Sequence, residues 1–477
     1  MRALLLAPLA LTLAAQAPKE TITTLQDQRA LAVTIYNGNL ALVKDQREVH
    51  LAKGDLELAF QEVSAQIRPE TALLRNLTEP RGFWVNEQNF DFDLLTPAKL
   101  LEKYVGQKVT IVSQKPNPEG AGSKEAREEA EVLATNEGVV LKFADRIETS
   151  APGRIIYSRV PESLRARPTL VLNLHSSADK AQKLELSYLT GGLSWRADYV
   201  ANLAPDEKTL DLSGWVTLTN ASGATYPGAA LQRVAGDVNR VQDQIVRGAG
   251  VMKSMMAPAA APPQMKEENL FEYHLYTLDH PTTLKENQTK QVALLTASAV
   301  PVRKDYLLRG ETYYYQSQYG EADKLKVGVF VEFENKVETH MGMPLPKGTV
   351  RVYKRDSEGR AQFVGEDAID HTPKNELVRL KLGDAFDLTA RRKQTDFKSL
   401  GRQGQYRNVY EMAFEVELKN AKKEAVTVSD LEPIGGDWEM LQHSHPFTKE
   451  AANAARFKVE VPAEGSATLS YRVRVRW

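Results

Sequence analysis

The nine residues from Leu469 to Trp477 read L-S-Y-R-V-R-V-R-W, and this alternation of apolar and polar side chains constrains the fold more than any other feature. Because successive side chains of a β-strand point to opposite faces, one face is apolar and the other carries a serine and three arginines. The same period recurs in other stretches, at 56–60, 170–174, 184–188, 210–220, 327–333, 349–353, 377–382, 412–418 and 457–461. The sequence therefore predicts an all-β protein.

Local signals add a turn, a helix and a loop to these strands, which are expected to contain about five to nine residues each. Asn37-Gly38 predicts a two-residue hairpin turn, since both central positions need positive φ. The stretch 96–105 predicts a short helix with Thr96 as its cap, Pro97 at its first position and a glycine at its end. Residues 115–130 are rich in Pro, Gly, Glu and Lys, and we expect an exposed loop there.

The first residues resemble a signal peptide for export. They carry one arginine, an apolar run from Ala3 to Leu13 and the small-residue tripeptide at 15–17, with cleavage expected after Ala17 or Ala15. The run is shorter than the ~20 residues of a membrane span, so we expect no transmembrane helix after signal removal. The chain has no cysteine and therefore no disulfide framework. We expect a bacterial protein of the periplasm or the cell surface.

Composition limits the classes of partner. The formal net charge is -1, from 61 basic and 62 acidic residues, which gives no electrostatic reason to expect nucleic acid. The 477 residues suggest several domains at the usual ~150 residues each. We expect a signal peptide at 1–17, an N-terminal β-rich domain with one short helix at 18–165, a central β domain at 166–320 with a flexible Met/Ala/Pro loop at 248–268, and a C-terminal β-sandwich domain at 321–477.

Several motifs together resemble one bacterial family. They are Y-L-T-G-G-L-S-W-R-A-D-Y (188–199), G-W-V-T-L-T-N (214–220), V-A-G-D-V-N (234–239), F-E-Y-H-L-Y-T-L (271–278), N-Q-T-K-Q-V (287–292), P-L-P-K-G-T-V-R-V-Y (344–353) and D-H-T-P-K (370–374). In this order they resemble the exported proteins with the domain of unknown function 4139, over most of 185–477. The resemblance to its mucoidy-inhibitor-like members is distant, since this chain lacks their coiled-coil insert. It implies a β-rich envelope protein and supplies no catalytic residue.

Two groups of residues are the candidate sites. His443 and His445 lie on one face if their segment is extended, a spacing found in metal sites, with Asp437 or Glu439 as a third ligand; solvated loop histidines are the alternative. Tyr313, Tyr315 and Tyr319 belong to the densest aromatic group, with Tyr314 between them. Alternation would expose Tyr313 and Tyr315 and bury Tyr314, or the reverse. Exposed tyrosines bind sugars or protein partners, whereas buried ones pack across strands.

Other acidic and serine motifs give weaker evidence for a functional site. Asn89, Asp91 and Asp93 share a strand face but supply at most a third of the oxygens that calcium needs. The stretch 191–195 (G-G-L-S-W) lacks the G-x-S-x-G elbow of a serine nucleophile, and Trp195 is expected in a core. Carboxylate pairs of the kind that glycosidases use include Asp237 with Asp243 and Asp384 with Asp387, at separations that sequence does not give.

These observations favour an exported cell-envelope β protein that acts as a structural or protein-interaction module, with no cofactor. The terminal strand offers one route to a partner, since a strand at a sheet edge can pair with another chain. The alternative is an exported hydrolase or carbohydrate-binding protein on a β-sandwich scaffold, which the fold does not exclude.

Overall fold

The computed structural model describes residues 20–91, 93–116, 123–161, 163–235, 266–270 and 273–477, with the backbone alone at 266–270 and 323. The expected signal peptide at 1–17 and residues 248–265 of the expected flexible loop lie outside these ranges. Strands hold 66% of the residues and the described part contains one α-helix, which confirms the all-β fold. No helix in these ranges has the length and apolar character needed to cross a bilayer.

The strands are numbered in chain order. The first sixteen are β1 (Glu20–Thr23), β2 (Gln28–Tyr36), β3 (Leu40–Leu51), β4 (Gly54–Gln61), β5 (Leu73–Asn76), β6 (Phe83–Asp91), β7 (Lys108–Pro116), β8 (Ser123–Ala134), β9 (Val140–Lys142), β10 (Ile147–Glu148), β11 (Arg154–Ile156), β12 (Thr169–Ser176), β13 (Lys180–Thr190), β14 (Leu193–Leu203), β15 (Thr209–Asn220) and β16 (Tyr226–Ala235). The α-helix, α1, is Pro97–Lys103, and 3₁₀ helices lie at Leu25–Asp27, Pro69–Thr71, Thr312–Tyr315 and Val337–Thr339.

The remaining strands are β17 (Lys266–Leu270), β18 (Tyr273–Thr277), β19 (Thr282–Leu284), β20 (Gln288–Pro301), β21 (Arg303–Arg309), β22 (Glu321–Glu334), β23 (Gly348–Arg355), β24 (Ala361–Ile369), β25 (Leu377–Gln403), β26 (Tyr406–Asn420), β27 (Val426–Glu432), β28 (Asp437–His443), β29 (Phe447–Ala451), β30 (Ala454–Val461) and β31 (Gly465–Arg476). β17 pairs with β18, so residues 266–268 of the expected loop belong to a strand.

The chain divides into two compact units. The first contains the residues to Ser194, Thr219–Arg233 and His280–Lys290; the second contains Trp195–Leu218, Val234–Asp279 and Gln291–Trp477. The three-domain division expected from the sequence stays a prediction.

The first unit is built on two facing sheets. One has the order β1-β4-β12-β6, and in the other five strands run β16-β2-β3-β13-β5. They face each other where the Arg47 guanidinium of β3 lies 3.8 Å from the ring centre of Phe60 on β4. Both side chains are fully buried, and Arg47 is neutralised by Asp45 at 2.8 Å. The alternating apolar residues of the sequence supply the core between the sheets.

A smaller sheet in the same unit corrects one expectation. Its order is β10-β9-β8-β7-β11, and α1 packs Leu100 and Leu101 on its core. The predicted helix is confirmed, with Thr96 Oγ1 accepting from the Lys99 amide at 3.1 Å. The predicted loop at 115–130 is wrong where it is described, because 123–130 form β8. Five of these eight residues are charged, and cross-strand ion pairs such as Lys115 with Glu128 support a charged hairpin.

The second unit contains a five-stranded sheet, β20-β15-β14-β23-β24, and a nine-stranded one, β28-β31-β26-β25-β22-β21-β27-β30-β29. The nine-stranded sheet folds back on itself, since Phe457 of β30 stacks on Tyr471 of β31 with ring centres 5.3 Å apart. β25 has 27 residues, longer than the expected five to nine. Bulges, for example near Gly383 at φ +149°, bend the strand without ending its pairing.

The strand that dominates the sequence lies inside this sheet. Leu469, Tyr471, Val473 and Val475 are buried as predicted, while Trp477 is 39% exposed. β31 pairs with β26 on one side and with β28 on the other. Strand addition at Leu469–Trp477 is therefore excluded, because both of its hydrogen-bonding edges are already used.

The hairpin expected at Asn37-Gly38 forms with a different loop. β2 and β3 pair up to Tyr36 opposite Leu40, which leaves three residues in the loop. Positive φ falls on Gly38 and Asn39, at +77° and +58°, and not on Asn37. A three-residue loop places its left-handed residues later than a two-residue turn does, and asparagine tolerates that conformation.

Candidate functional site

The tyrosine group predicted as a binding surface is mainly part of the core. Thr312–Tyr315 form a 3₁₀ turn, so the tyrosines do not alternate between two faces. Tyr314 and Tyr315 are buried and Tyr313 is 51% exposed, which corrects the expectation for Tyr315. Tyr319 is partly buried and packs edge-on to Tyr313 at 5.9 Å. Only Tyr313 offers a largely exposed ring.

The predicted histidine pair does not assemble a metal site. His443 Nδ1 lies 2.9 Å from the His445 carbonyl, and His445 Nδ1 lies 2.9 Å from Ser444 Oγ. The two suggested acids are engaged by arginine: Glu439 with Arg476 at 2.7 Å and Asp437 with the same residue at 3.4 Å. Within the described residues, no three His, Cys, Asp or Glu side chains are grouped as metal ligands.

The remaining sequence candidates are also engaged or separated. Asp91 accepts from Arg165 Nε at 3.0 Å, and Asp93 pairs with Lys103 at 2.7 Å, so neither is left for calcium. Trp195 is half-buried and follows the turn between β13 and β14. Asp384 pairs with Lys326 at 3.4 Å. Asp237 and Asp243 lie outside the described residues.

A buried charge cluster in the second unit escaped sequence analysis. The Arg392 guanidinium binds both carboxylate oxygens of Glu432 and lies 3.4 Å from Asp430, and all three side chains have no exposed surface. Tyr315 donates to Glu432 and lies 2.8 Å from the Tyr471 hydroxyl. Gly310 is required beside them, because a Cβ there would come within 2.3 Å of Glu432 Oε2.

The charges of this cluster are set by opposing effects. Burial alone would raise the pKa of Glu432, but the Arg392 guanidinium lowers it below its usual range. Burial and the Glu432 carboxylate beside it raise the pKa of Asp430 well above its usual range. Glu432 is therefore the carboxylate that pairs with Arg392, and burial disfavours the ionised form of Asp430. The three charged side chains have no exposed surface, so the cluster presents no reactive group to solvent.

One large opening in the first unit lies between two strand edges, and we call it the edge groove. It has a volume of about 650 Å³ and is lined by Ala72, Leu73, Leu74, Arg75, Asn76, Leu77, Pro80, Phe83, Trp84, Val85, Gln88 and Leu172. A volume of this size suits a ligand as large as a short peptide, since ligand pockets commonly measure ~300–1,000 Å³. The groove is therefore the best-formed candidate site.

The walls of the edge groove are the last strands of the two facing sheets. β5 pairs with β13 alone and β6 pairs with β12 alone among the described strands. Leu74 of β5 and Leu172 of β12 are buried, so the core of the sandwich forms the floor. Val85 lies opposite buried Leu174, which places its side chain on the core-facing side of β6. The groove is an uncovered side of the sandwich.

The register shows which backbone groups face the groove. The Leu77 amide donates to the Lys183 carbonyl, so in the antiparallel ladder Leu74 and Asn76 direct their amide and carbonyl groups away from β13. On β6, Gly82 accepts from the Ser177 amide. By the same alternation, Phe83 and Val85 direct their amide and carbonyl groups away from β12. Each edge offers a short row of hydrogen-bonding groups.

Apolar side chains at these edges are unusually exposed. Leu73, Leu77, Trp84 and Val85 are between 37% and 55% exposed. The Trp84 ring stacks on His175 at 4.3 Å, and His175 Nδ1 lies 2.7 Å from Asp55 Oδ1, which holds the indole in place. Exposed apolar side chains beside strand edges of this kind are typical of an interaction site.

Polar contacts and a turn close the two ends of the groove. Gln88 Nε2 donates to the Pro69 carbonyl at 2.9 Å at one end. The turn that contains Leu77 and Pro80 connects β5 to β6 at the other. β5 has four residues, so the accessible edge is ~13 Å long at about 3.3 Å per residue. A segment of about five extended residues spans that length.

Sequence reasoning missed this site although one signal was present. The stretch 73–85 brings six large apolar residues close to Pro80, Arg81 and Gly82 in a region without a long alternating pattern. The alternation that predicted other strands is absent from this stretch, and only the pairing of β5 and β6 shows these strands to be edges. A search against protein-family models and a search of curated proteins both find no match for this chain.

Proposed function

We propose that this protein is an exported cell-envelope interaction module that binds an extended segment of a partner protein in the edge groove. The observation that carries the proposal is the pair of strand edges, β5 and β6, that flank an apolar groove with their backbone groups directed into it. An added strand satisfies those groups by main-chain hydrogen bonds and buries alternate side chains, the mode of recognition known as β-augmentation.

The chemistry of the groove favours a polypeptide over other occupants. A lipid chain would cover the apolar lining but leave the outward groups of Leu74 and Asn76 without partners. Natural proteins usually blunt such edges with charges or bulges. β6 does carry a bulge after Val85, but the exposed Leu73 and Trp84 have no such protection. An extended peptide meets both the apolar and the hydrogen-bonding demands.

Export and envelope location are supported by the signal-like residues 1–17 and by the resemblance to exported proteins with the domain of unknown function 4139. A protein that acts in the envelope through contacts needs an accessible binding surface and no reactive centre. The carbohydrate-binding alternative is supported by one observation, the exposed indole of Trp84, since aromatic rings stack on sugars.

The test uses the full chain and a random library of twelve-residue peptides displayed on phage. Enriched peptides are synthesised, and their binding is measured by fluorescence anisotropy and by hydrogen exchange of the protein amides. We expect bound peptide to slow exchange in β5 or β6, because new ladder hydrogen bonds protect amides. Val85→Lys should weaken binding at least tenfold by placing a charge in the apolar wall (~1.4 kcal/mol).

Ile147→Lys is the matched control, since Ile147 is 62% exposed in the smaller sheet of the same unit. This substitution should leave peptide binding unchanged. Protection that falls elsewhere, or equal loss in both variants, would overturn the proposal. Binding of an oligosaccharide series that quenches Trp84 fluorescence without protecting either edge would assign the groove to sugars instead.

A further inference from the structure

One cation stands among the lining residues of the edge groove. Of the twelve side chains that line it, Arg75 alone is charged. It lies on β5 between Leu74 and Asn76, which are both buried, and its own side chain is exposed. Neighbouring positions of a strand point to opposite faces, so Arg75 lies at the outer rim while Leu74 faces the core. The groove therefore combines an apolar inner side with a positive outer rim.

Arg75 has no ion-pair partner among the described residues. Glu185 of β13 stands opposite it in the ladder. The Glu185 carboxylate instead accepts from Gln46 Nε2 at 2.8 Å and from Ser187 Oγ at 3.5 Å. Gln46 belongs to β3, on the far side of β13 from β5. The guanidinium of Arg75 is left to interact with whatever occupies the groove.

We infer that the edge groove selects extended peptides in which an acidic residue lies between two apolar residues. The inference rests on the proposed function and names its ligand class. In a strand added antiparallel to β5, the residue opposite Arg75 forms a non-hydrogen-bonded pair, because the main-chain groups of Arg75 point to β13. Side chains are closest at such pairs, with Cβ atoms about 4.5–5.5 Å apart.

The two residues that flank this position point to the opposite face. There they meet Leu74, Leu172 and the core-facing side of Val85. An apolar–acidic–apolar order therefore satisfies the inner side and the rim together, whereas a basic central residue is repelled. Like charges directly opposite each other in a ladder are destabilising.

The probes are three capped nonapeptides of serine and threonine with valine at positions four and six and glutamate, glutamine or lysine at position five. At low salt we expect the glutamate peptide to bind the full chain about two- to fivefold more tightly than the glutamine peptide, as expected for an exposed ion pair. The lysine peptide should bind more weakly than both. The differences should shrink in 1 M salt, where screening acts over about 3 Å.

Arg75→Glu should reverse the order, with the lysine peptide binding most tightly. Arg127→Glu is the control, since Arg127 is an exposed arginine of β8 in the same unit. If library peptides bind the groove but the three probes bind equally, or do not bind, the inference is wrong while the proposed function stands. If no peptide protects β5 or β6, both fail.

Discussion

Replacing Arg392 with methionine tests whether the buried charge cluster holds the second unit together. Methionine matches the length of the arginine stem but cannot pair with a carboxylate. Arg392 has no exposed surface and donates two hydrogen bonds to Glu432. After the change, the Glu432 carboxylate loses both guanidinium hydrogen bonds and keeps the Tyr315 hydroxyl as a donor.

The expected loss follows from which charges remain. Removing one partner of a buried ion pair typically costs ~3–5 kcal/mol, because the other charge stays buried without compensation. The second change Glu432→Leu should restore part of that loss, since an apolar pair of similar volume needs no hydrogen bonds. The double variant is therefore expected to be more stable than Arg392→Met alone.

Urea unfolding followed by circular dichroism, with hydrogen exchange at Val426–Glu432, gives the free energy of unfolding of this unit. Arg474→Met is the matched control, because Arg474 pairs with Glu411 on the outer face of the same sheet and its side chain is 33% exposed. Exposed pairs contribute up to ~1 kcal/mol. The reasoning would be refuted if Arg392→Met lowered the free energy of unfolding no more than Arg474→Met does. It would also be refuted if the double variant were less stable than Arg392→Met alone.

Two further changes test the electrostatic and capping arguments. Burial, and then the Glu432 carboxylate, raise the pKa of Asp430, so Asp430 destabilises the folded state by up to ~1.4 kcal/mol per pH unit above pH ~4. Asp430→Asn should therefore gain stability relative to the natural protein as the pH rises above ~4 in urea titrations, and parallel profiles would contradict this. Thr96→Ala should cost ~1 kcal/mol and speed exchange of the Leu100 amide, which bonds to the Thr96 carbonyl at 2.8 Å, with unchanged exchange as the contrary result.

Period-two patterns predicted the strands that are buried on one face. Leu469, Tyr471, Val473 and Val475 are buried as expected because β31 covers a core on one side only. The same reasoning failed at Tyr313–Tyr315, where a 3₁₀ turn replaces the strand and buries two neighbouring tyrosines. Periodicity gives the face of a residue only when its local conformation is known.

The high charge content of 115–130 predicted a loop, but charged side chains stabilise a strand over part of this stretch. Residues 123–130 lack an apolar face, yet they pair with β7 because lysine and glutamate meet across the hairpin. The buried Arg392 is equally hidden in a sequence of 61 basic residues. Only the hydrogen bonds between its guanidinium and the Glu432 carboxylate in the folded protein distinguish it from a surface arginine.

The candidate site could not be predicted, since it depends on which strands have one neighbour. Leu73 and Val85 look like ordinary core residues in the sequence, and their exposure follows from the position of β5 and β6 at the ends of their sheets. Sheet order is a long-range property that alternation within a strand does not contain.

The pairing of β2 with β16 also governs how the first unit can form. Thr34 hydrogen-bonds Gln232 across 198 positions of the chain. Closing such a long loop must precede the contacts that stabilise it, which makes folding slow. Until Ala230–Arg233 pair with β2, one edge of β2 can form hydrogen bonds with any other extended chain. Newly made protein therefore passes through a period in which association competes with folding, and dilute conditions or a holding chaperone should raise the folded yield.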